Sequence, residues 1–553
     1  MSRTHRGWQG AAAFGATLAL VLTACGSNGG DSSGNGEPSG DPVTGGTLVY
    51  LEHQPHDTLY PPAAGFYPNG GLVNNITDRL VYQNPETLEF EPWIATDWEV
   101  NEDATQYTFD LRSDVTFSDG SALDAEVVAA NFDLYGLGDP DRALTVSEAV
   151  NNYASSEVVD ADTVVFNFSA PAPGFLQATS TINSGLVSAS TLEGAFEDFG
   201  PGNGQNVIGS GPFVITAEEI GTSVTLGARE DYAWAPASRE NQGRAYVDEV
   251  QVTVTPEDSV RVGALTSGQA DVIRYVEAQD EAQVAGAGLE IYAPQTRGVN
   301  NSLSLRFTNP ILSDIRVRQA LIAGIDRQEV VDTIYTENYP LATSSLSSTA
   351  LGYENLEDYY AFDPERAADL LDEAGWTLGA DGIREKDGQS LTLVVNEAAP
   401  QPRSFEALTL ISQQLAEIGV DLQILRADAG TYTEAIQDAG QVQIYHSMVG
   451  RADLDVIKSQ YYSTNRNTLL NRDPATDTIA DPELEALLEA VASEADGDTR
   501  IANSQAVQTY LAENAYVIPL FEEPQVFGSQ TDVAGFSFES VGRPSFYEVW
   551  LDR

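Results

Sequence analysis

No crosslink is available to hold this chain together, because its 553 residues include a single cysteine, Cys25. A long chain without disulfides must be stabilised by the apolar surface it buries. The material for a core is present: 42% of residues are hydrophobic and 9% aromatic, which excludes wholesale disorder. The length is more than one core can serve and implies about two to four domains of ordinary size.

The place of the cysteine carries a second implication. Residues 1–7, MSRTHRG, hold Arg3 and Arg6 with no acid, and residues 11–22, AAAFGATLALVL, are small or apolar throughout. This is the pattern of a secretory signal peptide, and the run is shorter than the about 20 residues a spanning helix needs. Leu22-Thr23-Ala24-Cys25 resembles a bacterial lipobox. That resemblance implies cleavage before Cys25, which then receives acyl chains that together anchor stably. A signal peptide cut after Ala24, with an incidental cysteine, is the plainer alternative. Residues 26–44 are glycine, serine and other small polar residues, a flexible tether. Gly30-Asp31-Ser32-Ser33-Gly34 within it matches the G-x-S-x-G hydrolase pattern but has no strand before it or helix after it, so the match is chance. No later run reaches 18 apolar residues.

The net charge of −56 is spread along the chain, and Lys386 and Lys458 are its only lysines. Such a surface repels nucleic acid and other polyanions and suits salty surroundings, where screening relaxes self-repulsion.

Periodicity places strands and helices in alternation. GGTLVYLEH from Gly45 reads as a short strand, apolar residues alternate in QYTFDLR (Tyr107, Phe109, Leu111) and TVVFNFS (Val164, Phe166, Phe168), and VDEVQVTVTP and AYVIPLF add two more strands. Helical stripes are equally plain. Asp363 caps and Pro364 opens a helix whose face is Ala367, Leu370, Leu371 and Ala374, with Gly375 as its stop. Leu408, Ile411, Leu415 and Ile418 form a second stripe ending at Gly419, and Leu484, Leu487, Leu488 and Val491 a third. Asp326 and Glu329 read as a capping box. The class is mixed α/β, and no internal repeat is found.

Four segments, in order, resemble one family. They are DWEVNEDATQYTFDLRSDVTFSDGSALDAEVVAANFD (97–133, with a turn at Asp119-Gly120), IGSGPFVI (208–215), LSLRFTNPILSDIRVRQALIAGIDRQEVV (303–331) and FDPERAADLLDEAGW. Together they resemble the extracytoplasmic solute-binding proteins of ABC importers, in the branch with oligopeptide-, dipeptide- and nickel-binding members. The resemblance covers the chain from about Gly45 to its end. It implies a two-lobed, periplasmic-binding-protein-like clamp with an additional inserted domain. Domain I would combine 45–80, 206–297 and 527–553, domain II would be the insertion 81–205, and domain III would be 298–526. The ligand would lie between the lobes, and closure would bury it.

Candidate ligand residues follow from the same resemblance. The segment EHQPHDTLYPPAAGFYPNG offers His53, His56, Tyr60, Phe66 and Tyr67. Two histidines three apart in an extended loop point to opposite sides, which argues against a shared metal. In HSMVGRADLDVIKSQYYS, His446 is followed by Arg451, Asp453 and Asp455, where many peptide-binding relatives carry a tryptophan and then an aspartate for the peptide's amino end. The tryptophan is missing here. Arg451 suits a carboxylate and Asp453 an ammonium, so a zwitterion could use both, or the two could pair with each other. Arg274 and Tyr275, near a hinge strand, and Asn300 and Asn301, before the third segment, complete the set.

The expected function is that of a lipid-anchored, monomeric receptor on the outer face of the cell membrane. It would deliver a short peptide or other small amine-bearing solute to an ABC permease, with no cofactor, no metal and no covalent step. Two alternatives stand beside it. One is a nickel or metal-chelate receptor using His53, His56 or His446. The other is an anchored hydrolase drawing on Ser210 or Ser447, although neither serine lies in a nucleophile-elbow setting. No H-E-x-x-H or C-x-x-C occurs, and EADGDTR around Asp496 lacks the spacing of a calcium loop.

Overall fold

Alternation at period two turns into strands with one buried edge. Gln106–Leu111 buries Tyr107, Phe109 and Leu111, and its antiparallel neighbour Thr163–Phe168 buries Val164, Phe166 and Phe168. With Ala95–Val100 and Tyr153–Val158 on the outside they make a four-stranded antiparallel sheet. The computed structural model describes residues 40–398 and 401–553. The apolar run 11–22, Cys25 and most of the tether lie outside the described residues.

A seven-stranded sheet is built from distant parts of the chain. Its order is Glu290–Tyr292, Phe527–Ser529, Val272–Arg274, Thr47–Glu52, Glu249–Val254, Ser223–Ala228 and Phe213–Glu219. Thr47–Glu52 runs parallel to both of its neighbours and the other pairings are antiparallel. One continuous core joins this sheet to the four-stranded one, with Tyr50, Phe109, Phe132, Phe166 and Val250 in it.

A five-stranded mixed sheet forms the rest: Asp421–Leu425, Thr392–Asn396, Ile444–Gly450, Gly298–Leu305 and Val517–Phe521. Helices Pro364–Glu373 and Ser404–Glu417 bury the expected Leu370, Leu371, Leu408, Ile411 and Leu415 in its core. Asp363 caps the first of these by accepting from the Arg366 amide. The expected capping box at Asp326 is half formed. Its carboxylate accepts from the Glu329 amide at 2.9 Å, but the Asp326 amide donates to Gln414 Oε1 and not to Glu329. A neighbouring helix has supplied the acceptor that local sequence offered. Among the described residues, no helix is long and apolar enough to cross a membrane.

Two segments cross from the seven-stranded to the five-stranded sheet. One connects Glu290–Tyr292 to Gly298–Leu305, the other Val517–Phe521 to Phe527–Ser529. They are tied to each other, since the Thr296 amide donates to the Glu523 carbonyl and the Gln525 amide to the Pro294 carbonyl, both at 2.9 Å.

Candidate ligand-binding site

At these crossings lies a cavity of about 490 Å³, whose walls come from the seven- and five-stranded sheets, the segments around 62–67, 145–149 and 177–183, and the C-terminal segment. Its volume is in the range of about 300–1,000 Å³ usual for small-molecule sites. His53, Phe66, Tyr67, Arg274, Tyr275 and Arg451, all named from sequence, line it. Helix Tyr67–Ile76 begins at its edge, and the residue before it, Phe66, is 36% exposed, a large ring turned to open space.

The wall beside the crossing strands is a network of charge and stacked rings. Arg274 donates from Nη1 to Glu52 Oε1 at 2.7 Å and from Nη2 to Gln525 Oε1 at 2.9 Å. Burial pushes the Glu52 carboxyl up, and Arg274 and His53 outweigh it, holding it at about 2. His53 Nδ1 lies 2.8 Å from Glu52 Oε1, and its ring stacks on Tyr275 with centroids 4.2 Å apart. Burial lowers the His53 pKa, so the ring is neutral at pH 7. Tyr275 holds its place with a left-handed backbone, φ 62°, a strained conformation kept by the packing around it. Tyr67 is flanked by two guanidiniums, those of Arg274 and Arg543, each 4.9 Å from its ring centre. Its hydroxyl donates to the Val541 carbonyl at 2.7 Å.

On the opposite wall Arg451, Asp453 and Asp455 are all paired within the protein, though not in the pairing that spacing suggests. Arg451 pairs with Asp455, Nη2 to Oδ1 at 2.5 Å, and donates to Ser459 Oγ at 2.8 Å. Asp453 does not pair with Arg451. It receives both Nη groups of Arg500, which hold its carboxyl well below the usual range against the upward push of burial. Neither Asp453 nor Asp455 lines the cavity. Both lie under Gly174 of the segment after the four-stranded sheet, and Asn151 Nδ2 reaches Asp455 Oδ2 at 3.4 Å. Nearby, Arg466 donates to Glu148 at 2.6 Å, so the two walls are bridged across the mouth.

Five other residues named from sequence do not reach the cavity. His446, on the strand Ile444–Gly450, is fully buried between Ser404 Oγ at 3.0 Å and Asn301 Oδ1 at 3.2 Å, and burial lowers its pKa to about 4. His56 turns away to lie 3.2 Å from Glu218 Oε1 beside a hollow of about 20 Å³. Asn300 donates to the Ser344 carbonyl at 3.0 Å. Asn301 stands behind the wall, donating to Glu523 Oε2 at 2.5 Å. Tyr60 is also fully buried, its hydroxyl donating to the Thr145 carbonyl. The three histidines are thus dispersed, and among the described residues no three metal-ligating side chains converge. Ser210 and Ser447 are both buried, the second accepting from Gln460 Nε2 at 2.7 Å, so neither is paired with a histidine for nucleophilic work.

Sequence reasoning missed Glu148, Arg466, Glu523, Gln525, Glu539 and Arg543, all lining the cavity. Their partners are distant in sequence or, as with Arg543 and Glu539 (Nη1 to Oε1, 3.3 Å), lie in a C-terminal segment with no periodic signal. The one available cue was Glu522-Glu523, two acids directly after the apolar run VIPLF.

Comparison with known proteins bears on the same architecture. Residues 89–468, more than half of the chain, match the family described as bacterial extracellular solute-binding proteins, family 5 Middle. The glutathione-binding protein GsiB of Salmonella paratyphi A is 26% identical over 351 residues, 63% of this chain and 63% of that protein, so the match spans less than two thirds of the relative's length. The dipeptide-binding protein of Escherichia coli is 25% identical over 388 residues, 65% of this chain and 68% of that one. The crystal structure of NikA from Brucella suis in complex with Fe(III)-EDTA superposes with a TM-score of 0.75 at 23% identity, covering 92% of this chain and 100% of NikA. The fold is thus the two-lobed clamp of these binding proteins.

Proposed function

The chain belongs to the bacterial extracellular solute-binding proteins of family 5, and from that premise we propose that it is the solute receptor of an ABC importer. It captures a short peptide or other small amine-bearing solute between its lobes and delivers it to a permease. The observation that carries this reading is the cavity of about 490 Å³ at the two crossing segments, walled by Phe66, Tyr67 and Tyr275 and by charged side chains from both sides. Aromatic faces supply desolvated contact and the charged groups orient the solute, which is how a small polar molecule is held without a covalent bond. Relatives named for glutathione and dipeptide binding support the peptide class. A lipid anchor at Cys25, outer-face location, a monomeric state and the three-domain division at 81–205 and 298–526 belong to the same reading. They rest on the sequence segments quoted above.

Direct nickel binding by the histidines is disfavoured by their dispersal, so a metal would have to arrive as a chelate. Thermal unfolding of the full chain against di- and tripeptides, glutathione, amines and Fe(III)-EDTA tests the proposal. A true ligand at about 100 times its Kd adds about 2.7 kcal/mol and raises the midpoint accordingly. Stabilisation by peptide or amine is the expected result. No shift with any of them, together with turnover of peptide or ester probes, would overturn it.

A further inference from the structure

The charges lining the cavity do not balance, and the imbalance sits on one side chain. Four arginines line it, and each already has a carboxylate: Arg274 has Glu52, Arg451 has Asp455, Arg466 has Glu148 and Arg543 has Glu539. No lysine lines it, and His53 is neutral at pH 7. Arg297 stands behind the wall with its guanidinium on the Ser540 and Thr349 carbonyls. The lining carboxylate left over is Glu523. Among the described residues it has no cation within ion-pair distance, and it is 7% exposed. Asn301 Nδ2 at 2.5 Å and Gln525 Nε2 at 3.4 Å donate to it, and both are neutral.

A carboxylate buried without a counter-charge is costly unless a cation arrives to meet it. Its neighbours do not neutralise it: Tyr67, Tyr275, Tyr335 and Tyr339 lie close enough to feel its charge and none is positive, and Arg274, the guanidinium that acts on it, is already paired with Glu52. Glu523 is placed on the second crossing segment, between Val517–Phe521 and Phe527–Ser529. A cation bound there therefore touches the part of the fold that joins the lobes. We propose that the solute taken into this cavity carries a protonated amine and that Glu523 is the carboxylate that receives it. This rests on reading the cavity as the solute site, and it replaces Asp453, which Arg500 already occupies.

The proposal has a pH signature. Burial raises the Glu523 carboxyl to about 7, against the smaller opposing pulls of Asn301, Arg274 and Gln525. The empty site is then about half protonated at neutral pH, and binding a cation expels that proton. Affinity for an amine of high pKa therefore rises by about tenfold from pH 6 to pH 8 as the carboxylate forms. Glu277 shares a small space with Glu523, is also raised to about 7 and faces Arg403, so the profile must be assigned by substitution.

The test uses the full chain and a fixed panel: a mixture of di- and tripeptides, the same mixture acetylated at every amine, butylamine, spermidine and Fe(III)-EDTA. Calorimetric titration is expected to show binding of a free-amine probe, loss of that binding on acetylation, and about tenfold or greater weakening in Glu523→Gln. Glutamine keeps an oxygen for the short bond from Asn301 and gives up only the long one from Gln525, so an unchanged unfolding midpoint is the control for folding. Glu523→Asp, which keeps the charge, should recover part of the affinity, and the pH profile should be flat in Glu523→Gln alone. Equal binding of acetylated and free mixtures, or of wild type and Glu523→Gln, overturns the amine assignment while leaving the receptor reading intact. Binding of Fe(III)-EDTA alone has the same meaning. If no probe binds, both fail.

Discussion

His446 is fully buried, and neither of its ring partners, Ser404 and Asn301, is anionic. Its pKa of about 4 in the folded chain lies below the ordinary value of 6.5 that it regains on unfolding. The unfolded chain thus takes the proton first. The stability this produces is complete above pH 6.5 and is lost as the pH falls toward 4, by about 3 kcal/mol in all. Denaturant unfolding at pH 7.5 and pH 4.5 should show that loss in the wild type, beyond the loss seen in His446→Gln. An equal pH dependence in the two would mean that the imidazole is not buried neutral. At this scale the sequence was a poor guide to the site. It named Arg451 and Asp453 as neighbours, but the four-residue pair Arg451–Asp455 and the 47-residue pair Arg500–Asp453 compete for the same charges. Pairing of the second kind is settled by packing, not by spacing. Glu523 had only the cue of two acids after an apolar run, because what distinguishes it, the cation it lacks, is likewise a matter of packing.

Elements with local causes were legible. Helix Pro364–Glu373 begins where its cap and proline place it, and Ser404–Glu417 ends just before Gly419, whose φ is 83°. The strands with clean alternation lie where period two puts them. The crossing segments were legible only through the family resemblance, because nothing periodic marks a strand that leaves one sheet for another. Gly298, which opens the strand after the first crossing, shows what such a place demands. Its φ is 132°, and a Cβ there would stand 2.2 Å from the Val449 carbonyl and 2.9 Å from the Arg451 amide. Gly298→Ala is expected to cost at least about 1–3 kcal/mol from backbone strain and to displace Arg451, lowering both the unfolding midpoint and the affinity for a bound solute. Gly263→Ala is the contrast, since it lies within helix Asp258–Thr266 and its new methyl would meet nothing within 4 Å. That change should be neutral or stabilising, by up to about 1 kcal/mol. Equal effects would place the constraint elsewhere than at the crossing.

Over the whole molecule, the cavity gathers residues from His53 to Arg543, so no single stretch of sequence could have outlined it. Its two walls are bridged by Arg466 with Glu148, both of which line it. This is a weak contact, since an exposed ion pair contributes about 0–1 kcal/mol. The central claim is that this cavity is where the solute sits, and Gly65 gives direct access to it. It lines the cavity, and a Cβ added there meets nothing within 4 Å, so Gly65→Trp fills the space without a clash at its root. The first measurement is native mass spectrometry of the full chain, wild type and Gly65→Trp, after incubation with the peptide and amine panel. One small molecule retained per wild-type chain, absent from a Gly65→Trp chain with an unchanged circular dichroism spectrum, is the expected result. The same molecule retained equally by both would contradict the account and move the binding site out of this cavity.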